Sequence, residues 1–159
     1  MKNQFFACAI GILSFLSFPY LSIAQNGSSL KPIPVTIAGG IFTNATITIN
    51  DFVVKDNDVY VASTLNAFMS GVGQVSFPAY EKVTIIGASC DALNMFLGPE
   101  PVFISGSNFN IGAFVVTINK KNNDQQLNNT LCSIANLQNS NASPFVLVAK
   151  LKQLLRALN

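Results

Sequence analysis

The chain has 159 residues, half of them apolar and a tenth charged, with a formal net charge of +2. This composition excludes a disordered chain, which combines low hydrophobicity with high charge, and it supplies no long-range field for nucleic acid or an acidic surface. There is no histidine, so Ser-His-Asp triads, Cys-His pairs and histidine metal sites are excluded too.

Lys2, the apolar run Phe5 to Phe18 and the small-x-small sequence Ser22-Ile23-Ala24 read together as a secretory signal over residues 1–24. The alternative is a retained anchor. The run is interrupted by Ser14 and Ser17, and it falls short of the ~20 apolar residues that span a bilayer. Removal of the signal leaves a mature chain of about 135 residues, one domain with room for a real core, secreted or periplasmic. Cys8 departs with the signal, and Cys90 and Cys132 remain. An even pair in an oxidising compartment reads as one disulfide. Closing that loop would stabilise the fold by about 4 kcal/mol in the chain-entropy model. Two separately buried thiols are the alternative. A zinc site is disfavoured because two cysteines without histidine do not complete a tetrahedral shell, and no cofactor is expected.

Residues 25–34 are polar and contain Pro32 and Pro34, which reads as an extended leader into a single domain over 35–159. The first strand is expected to begin near Val35. Ala45, Ile47 and Ile49 alternate with Thr46, Thr48 and Asn50, the period of a half-buried strand, and Phe52 and Val54 fall on the opposite face, so a bulge is expected near Asp51. Lys55-Asp56-Asn57-Asp58 is a hairpin turn leading to a strand over Val59 to Leu65. After a break at Ser70 to Gly73, strands are expected over Gly73 to Phe77 and Lys82 to Ala88, separated by a turn at Pro78. Val83 to Ile86, Val102 to Ile104 and Ala113 to Ile118 are apolar on both faces, which suits strands covered on each side. Gly98-Pro99 and Ser105 to Asn110 read as the turns between them.

Beyond Asn119 to Asp124 the period lengthens. Leu127, Leu131 and Ile134 mark an amphipathic helix over about 125–138 that carries Cys132. Asn139 to Ser143 breaks it, and Pro144 opens a second helix to Leu158, with Leu147, Leu151, Leu154 and Leu158 on one stripe. The fold class expected is therefore mainly β: an antiparallel barrel or strongly curved sheet, with two C-terminal amphipathic helices and one disulfide.

Ser89-Cys90-Asp91-Ala92-Leu93-Asn94-Met95-Phe96-Leu97-Gly98-Pro99 and Leu127-Asn128-Asn129-Thr130-Leu131-Cys132-Ser133-Ile134-Ala135-Asn136-Leu137 resemble the two cysteine contexts of a group of small exported bacterial proteins. In that group a cysteine precedes a Leu-rich segment ending in Leu-Gly-Pro, and a second lies in a Leu-Cys-x-x-Ala-x-Leu helix. The likeness covers about residues 40 to 159. It departs at Ile104-Ser105-Gly106-Ser107 and at Gln126 to Asn129, where local turn geometry should differ. What the resemblance implies is export, the disulfide and the architecture; it transfers no catalytic residue.

The remaining acid-base inventory is seven carboxylates, and no spacing among them defines a hydrolytic pair. Asp51, Asp56, Asn57 and Asp58 lack the glycine and later glutamate of a calcium loop, so a solvated turn is the better reading. The Asn-x-Ser/Thr sequons at Asn26, Asn44, Asn128 and Asn141 are accounted for by the abundance of asparagine. The terminal helix, with Lys150, Lys152 and Arg156 off its apolar stripe, either packs on the sheet or makes weak contact with a membrane surface. The phenylalanines either fill the core or line a cavity. The expected role is that of an exported, non-catalytic binding protein for an apolar small molecule or lipid, with Phe103, Phe114, Leu131 and Leu151 as candidate lining residues and no nucleic-acid partner. The alternative is a cell-surface or matrix interaction domain, and an enzyme is third.

Overall fold

Period-two alternation of apolar and polar residues governs most of the chain, and the computed structural model turns it into a sheet buried on one face. The structure describes residues 22–25, 32–104 and 106–158, the first four by backbone alone. Nine strands and two helices are present among them: β1 (Ser22–Gln25), β2 (Ile33–Pro34), β3 (Phe42–Lys55), β4 (Asp58–Met69), β5 (Gly73–Ala88), β6 (Ala92–Leu97), β7 (Glu100–Ile104), β8 (Ser107–Ile111), β9 (Phe114–Asn119), α1 (Gln125–Asn139) and α2 (Pro144–Leu158). Strands β2, β3, β4, β5, β6 and β9 form, in the order β9-β6-β5-β4-β3-β2, an antiparallel sheet curled into a half-barrel. β1 adds to its far edge, parallel to β9, and β7 and β8 make a separate hairpin.

The β3–β4 connection is a two-residue turn in which Asp56 and Asn57 both take positive φ, 50° and 64°. Those angles match the twist of the flanking strands, and short side chains that hydrogen-bond locally tolerate them best. The bulge expected near Asp51 is present as a register shift between Ile49 and Asp51, with others between Thr43 and Thr46 in the same pair and between Ile85 and Gly87 in the β5–β6 pair. Bulges bend the strand that carries them and increase its twist, which helps the sheet curl instead of lying flat.

Several expectations are corrected. The strand expected to begin near Val35 is preceded by β1 and by the short β2 at Ile33–Pro34, inside the segment expected as a leader, and the long β3 starts only at Phe42. Pro78 does not divide two strands: β5 runs through it from Gly73 to Ala88. The reason lies in the pairing, because β4 covers one side of residues 73–82 whereas β6 pairs only with Val83 to Ala88. A proline is tolerated where one side of the strand needs no ladder donor. Ser107 to Asn110, read as part of a turn, belong to β8 (Ser107–Ile111). The expectation that Val102 to Ile104 is covered on both faces fails at Phe103, which is 70% exposed between buried Val102 and Ile104.

Two separate pieces fill the hollow of the half-barrel. Toward one end the helices supply Leu127, Leu131, Ile134, Val148, Leu151, Leu154, Leu155 and Leu158, all buried and continuous with Ile47, Ile49, Phe52, Val61 and Met95 of the sheet. The stripe of α2 is thus rotated slightly from the expected one: Val148 and Leu155 join it, and Leu147 is only half-buried. The β7–β8 hairpin contributes Val102, Ile104 and Ile111 to the same core. It is held by the Thr36–Ala38 segment, through Ala38 N–H to Asn110 O and Gly112 N–H to Thr36 O, and by an edge-to-face contact of Phe42 with Phe109 at 4.9 Å. Gly39, at φ 126°, lies so close to the Phe109 ring that an added Cβ would meet it at 3.2 Å, so the position excludes a side chain on two counts.

α1 is capped by Asp124, whose carboxylate accepts from Leu127 N–H at 3.0 Å. Its centre is tied covalently to the β5–β6 turn by Cys90–Cys132, a disulfide across 42 residues of sequence. α2 is tied to the bulged part of β3 by Lys152, whose ammonium donates to Asp51 at 2.8 Å. Partial burial alone would raise the Asp51 carboxyl, but Lys152, the Phe52 amide and Arg156 together hold it below its usual value. No helix among the described residues is long and apolar enough to cross a membrane.

Because Leu151 is fully buried between the helix and the sheet, Leu151→Ala should cost about 2–5 kcal/mol, read as a lower denaturation midpoint, and Lys150→Glu on the exposed side should leave that midpoint nearly unchanged. Cys132→Ser should lower stability by about 2–5 kcal/mol in denaturant melts, the usual loss for a native bridge in a small domain.

Candidate functional site

β4 begins at Asp58 and its ladder with β5 ends at Tyr60–Lys82, so the last turn of β5 runs on beside the helical layer without β4 against it. A groove opens there, of about 400 Å³, between Val83 to Ile85 of β5, the β3–β4 turn and the α1–α2 corner. Its apolar lining is Val59, Val83, Ile85, Ala142, Pro144, Leu147 and Leu151; its polar lining is Asn57, Asp58, Lys82, Thr84 and Gln138. Alternation along β5 accounts for the mixture, since Val83 and Ile85 point to the core side and Lys82 and Thr84 to solvent. Lys82 and Asp58 form an ion pair at 2.6 Å on the rim. That hydrogen bond, more than the nearby charges, raises the Lys82 ammonium above its ordinary value. The volume lies in the range of small-molecule sites, which pair an apolar floor with a few polar groups.

A second cleft, of about 460 Å³, runs between the helices and is lined by Gln125, Gln126, Asn129, Thr130, Ser133, Lys150 and Gln153. With amides, hydroxyls and one ammonium and no large apolar side chain, it offers little to an apolar ligand.

The four residues expected to line a cavity are not brought together as a site. Phe114, Leu131 and Leu151 are buried within the common core, Phe103 points outward from β7, and of the four only Leu151 reaches the groove. The apolar run Phe5 to Phe18, expected as the core of a signal peptide, lies outside the described residues, while Ser22 to Gln25 form β1. The acidic cluster at the β3–β4 turn separates by role: Asp51 pairs with Lys152, Asp58 pairs with Lys82, and Asp56 and Asn57 shape the turn.

One group that the sequence reading did not single out is Glu81, 0% exposed on the core side of β5. Ser63 Oγ lies 3.0 Å from Glu81 Oε2, 3.2 Å from Oε1 and 3.2 Å from Ala79 O. A hydroxyl has one proton for these three acceptors. When Glu81 is protonated it donates to Ser63, which then donates to Ala79 O, so each of the two protons has an acceptor. Burial pushes the carboxyl up to about 7; Ser63 and the backbone amide of Glu81 oppose the shift, and the Glu100 charge adds to it. The signal was present in the sequence: alternation counted straight through Pro78 puts Glu81 in line with Val75, Phe77, Ala79, Val83 and Ile85.

No family model matches this chain, and no curated protein or solved structure matches it.

The raised carboxyl has a definite linkage. The folded state holds the Glu81 proton to about pH 7, whereas the unfolded chain releases it at the ordinary glutamate value, so this contribution to stability is complete in acid and is lost as pH rises to neutrality. A shift of this size corresponds to about 3 kcal/mol. Denaturant melts at several pH values should show this decline, and Glu81→Gln, which keeps a donor for Ser63 and cannot ionise, should abolish it and be the more stable protein at neutral pH.

Proposed function

We propose that the protein is an exported, non-catalytic binding protein that takes an apolar small molecule or lipid chain in the groove beside β5. The observation that carries this reading is the groove itself. Seven apolar side chains floor a space of about 400 Å³, and Lys82 and Asp58 stand on its rim. An aliphatic chain would cover Val83, Ile85 and Leu147, and a polar end would remain among Lys82, Asp58 and Thr84, where water and hydrogen-bonding groups are at hand. Export is supported by the composition of residues 1–24 and by a disulfide of the kind that persists in oxidising compartments.

A second reading, a surface interaction domain, is favoured by a different end of the molecule. Ile41, Phe68 and Val72 are exposed, with Ser70 N–H donating to Ile41 O and the β3 start paired to Met69. Scattered exposed apolar residues are ordinary on a monomer, so the groove has precedence.

The test is titration with an environment-sensitive apolar fluorophore. Saturable one-to-one binding, displaced by a long-chain fatty acid and weakened about tenfold or more, that is by at least 1.4 kcal/mol, in Leu147→Glu with an unchanged denaturation midpoint, is the expected result. Non-saturable binding, or saturable binding indifferent to Leu147→Glu, would remove the groove from the function and leave the interaction reading.

A further inference from the structure

The outer strands and free stretches of the main sheet are not treated alike. The β3 edge is met by the two-residue β2, flanked and ended by Pro32 and Pro34, and beyond it lies the bulge before Asp51. The free side of β5 over residues 73–81 carries Pro78 and the inward-pointing Glu81. Prolines, bulges and inward charges are the devices by which natural sheets keep an open edge from pairing with another chain. β9 has none of them. Its sequence Phe-Val-Val-Thr-Ile-Asn contains no proline, no glycine and no charge, and its register with β6 is continuous from Phe114 to Asn119. Instead it carries a strand: β1 pairs with it in parallel, from Ser22 opposite Val115 to Gln25 opposite Ile118.

The signal-cleavage junction lies inside that covering strand. Cutting after Ala24 removes three of its four residues and leaves β9 as a six-residue edge rich in β-branched residues. We propose that the processed chain closes this edge by pairing β9 with β9 of a second copy, antiparallel about a two-fold axis, so that the half-barrels join in one continuous sheet. This rests on the export reading above, in particular on cleavage after Ala24.

The sequence of the strand favours a second copy. With the axis at Val116, Phe114 faces Ile118 of the other copy and Val115 faces Thr117, so that inward residues meet inward ones and the partly exposed Val115 and Thr117 share the outer face. Lys120 and Lys121 then lie beyond the start of the other β9, opposite Gly112 and Ile111, whereas a parallel in-register pairing would set lysine against lysine. A two-fold contact of this kind uses the same patch twice and ends at two copies.

The experiment uses the full chain, expressed with its own leader and recovered from the cell envelope. Intact mass reads the N-terminus, native mass reads the oligomer, and hydrogen exchange reads the β9 amides. The expected result is a chain beginning at Gln25, dimeric at micromolar concentration, whose β9 amides exchange faster on dilution. Val115→Lys, a charge on the outer face of the edge, should give a folded monomer that still binds the apolar probe. A chain that retains Ser22 to Ala24 would overturn the proposal through its premise, without touching the groove. A processed chain that stays monomeric, with β9 amides either fast or protected at every concentration, would overturn the self-pairing itself, as would a dimer unaffected by both Val115→Lys and dilution.

Discussion

A half-barrel has a hollow, and the stability of this fold depends on what fills it. The concave faces of β3, β4 and β6 present Ile47, Ile49, Phe52, Val61, Leu65 and Met95, and a six-strand sheet has no second sheet to cover them. Burial of such side chains is worth roughly 1.5–3 kcal/mol each only when something excludes water from the hollow. The helices do this toward one end and the β7–β8 hairpin toward the other, so neither filler is an appendage. The ties between layers follow from this need: Cys90–Cys132 fixes α1, Lys152–Asp51 fixes α2, and the Thr36–Ala38 segment fixes the hairpin. The groove beside β5 is a by-product of the same geometry, formed where β4 ends and the helical layer does not quite meet the strand that continues.

The one acidic side chain fully buried in that core shows how the sheet reconciles two demands. β5 needs an interior that excludes water and a free side that excludes other strands. Glu81 satisfies the second at some expense to the first, and Ser63 limits the expense by accepting the carboxyl proton and passing its own to Ala79 O. Charge in the core is tolerable here because it need not be charge: near neutrality the group can bind a proton.

Legibility in the sequence followed the range of the interactions. The β3–β4 hairpin, both helices and the disulfide rest on local signals, namely two turn residues of positive φ, a 3.6-residue stripe and an even cysteine pair, and each is found where those signals lie. The bulge before Asp51 was visible because the alternation changes face there. Pro78 misled because proline is read locally as a break, while its tolerance depends on whether a strand lies on the far side of β5, which is a property of the sheet. β8 was missed because Ser-Asn-Phe-Asn-Ile is polar at alternate positions and is held by β7 and by residues some seventy positions earlier. The groove was the least legible feature. It is assembled from three distant segments, and of its lining only Leu151 is among the residues expected to line a cavity, since apolar residues at a surface groove and in a core have the same periodicity.

The disulfide also defines a covalent ring. Residues 90 to 132 close on themselves through sulfur, and the ring contains β6, β7, β8, β9 and the first half of α1, while β3, β4 and α2 lie outside it. The exposed β7–β8 hairpin, with Phe103 at its surface, falls within this ring. A protease that cuts the hairpin therefore releases no fragment: the nicked protein keeps both ends of the cut through Cys90–Cys132, gains the mass of one water and separates into two pieces only after reduction. The bridge thus turns a cut in this hairpin from a loss of chain into a nick.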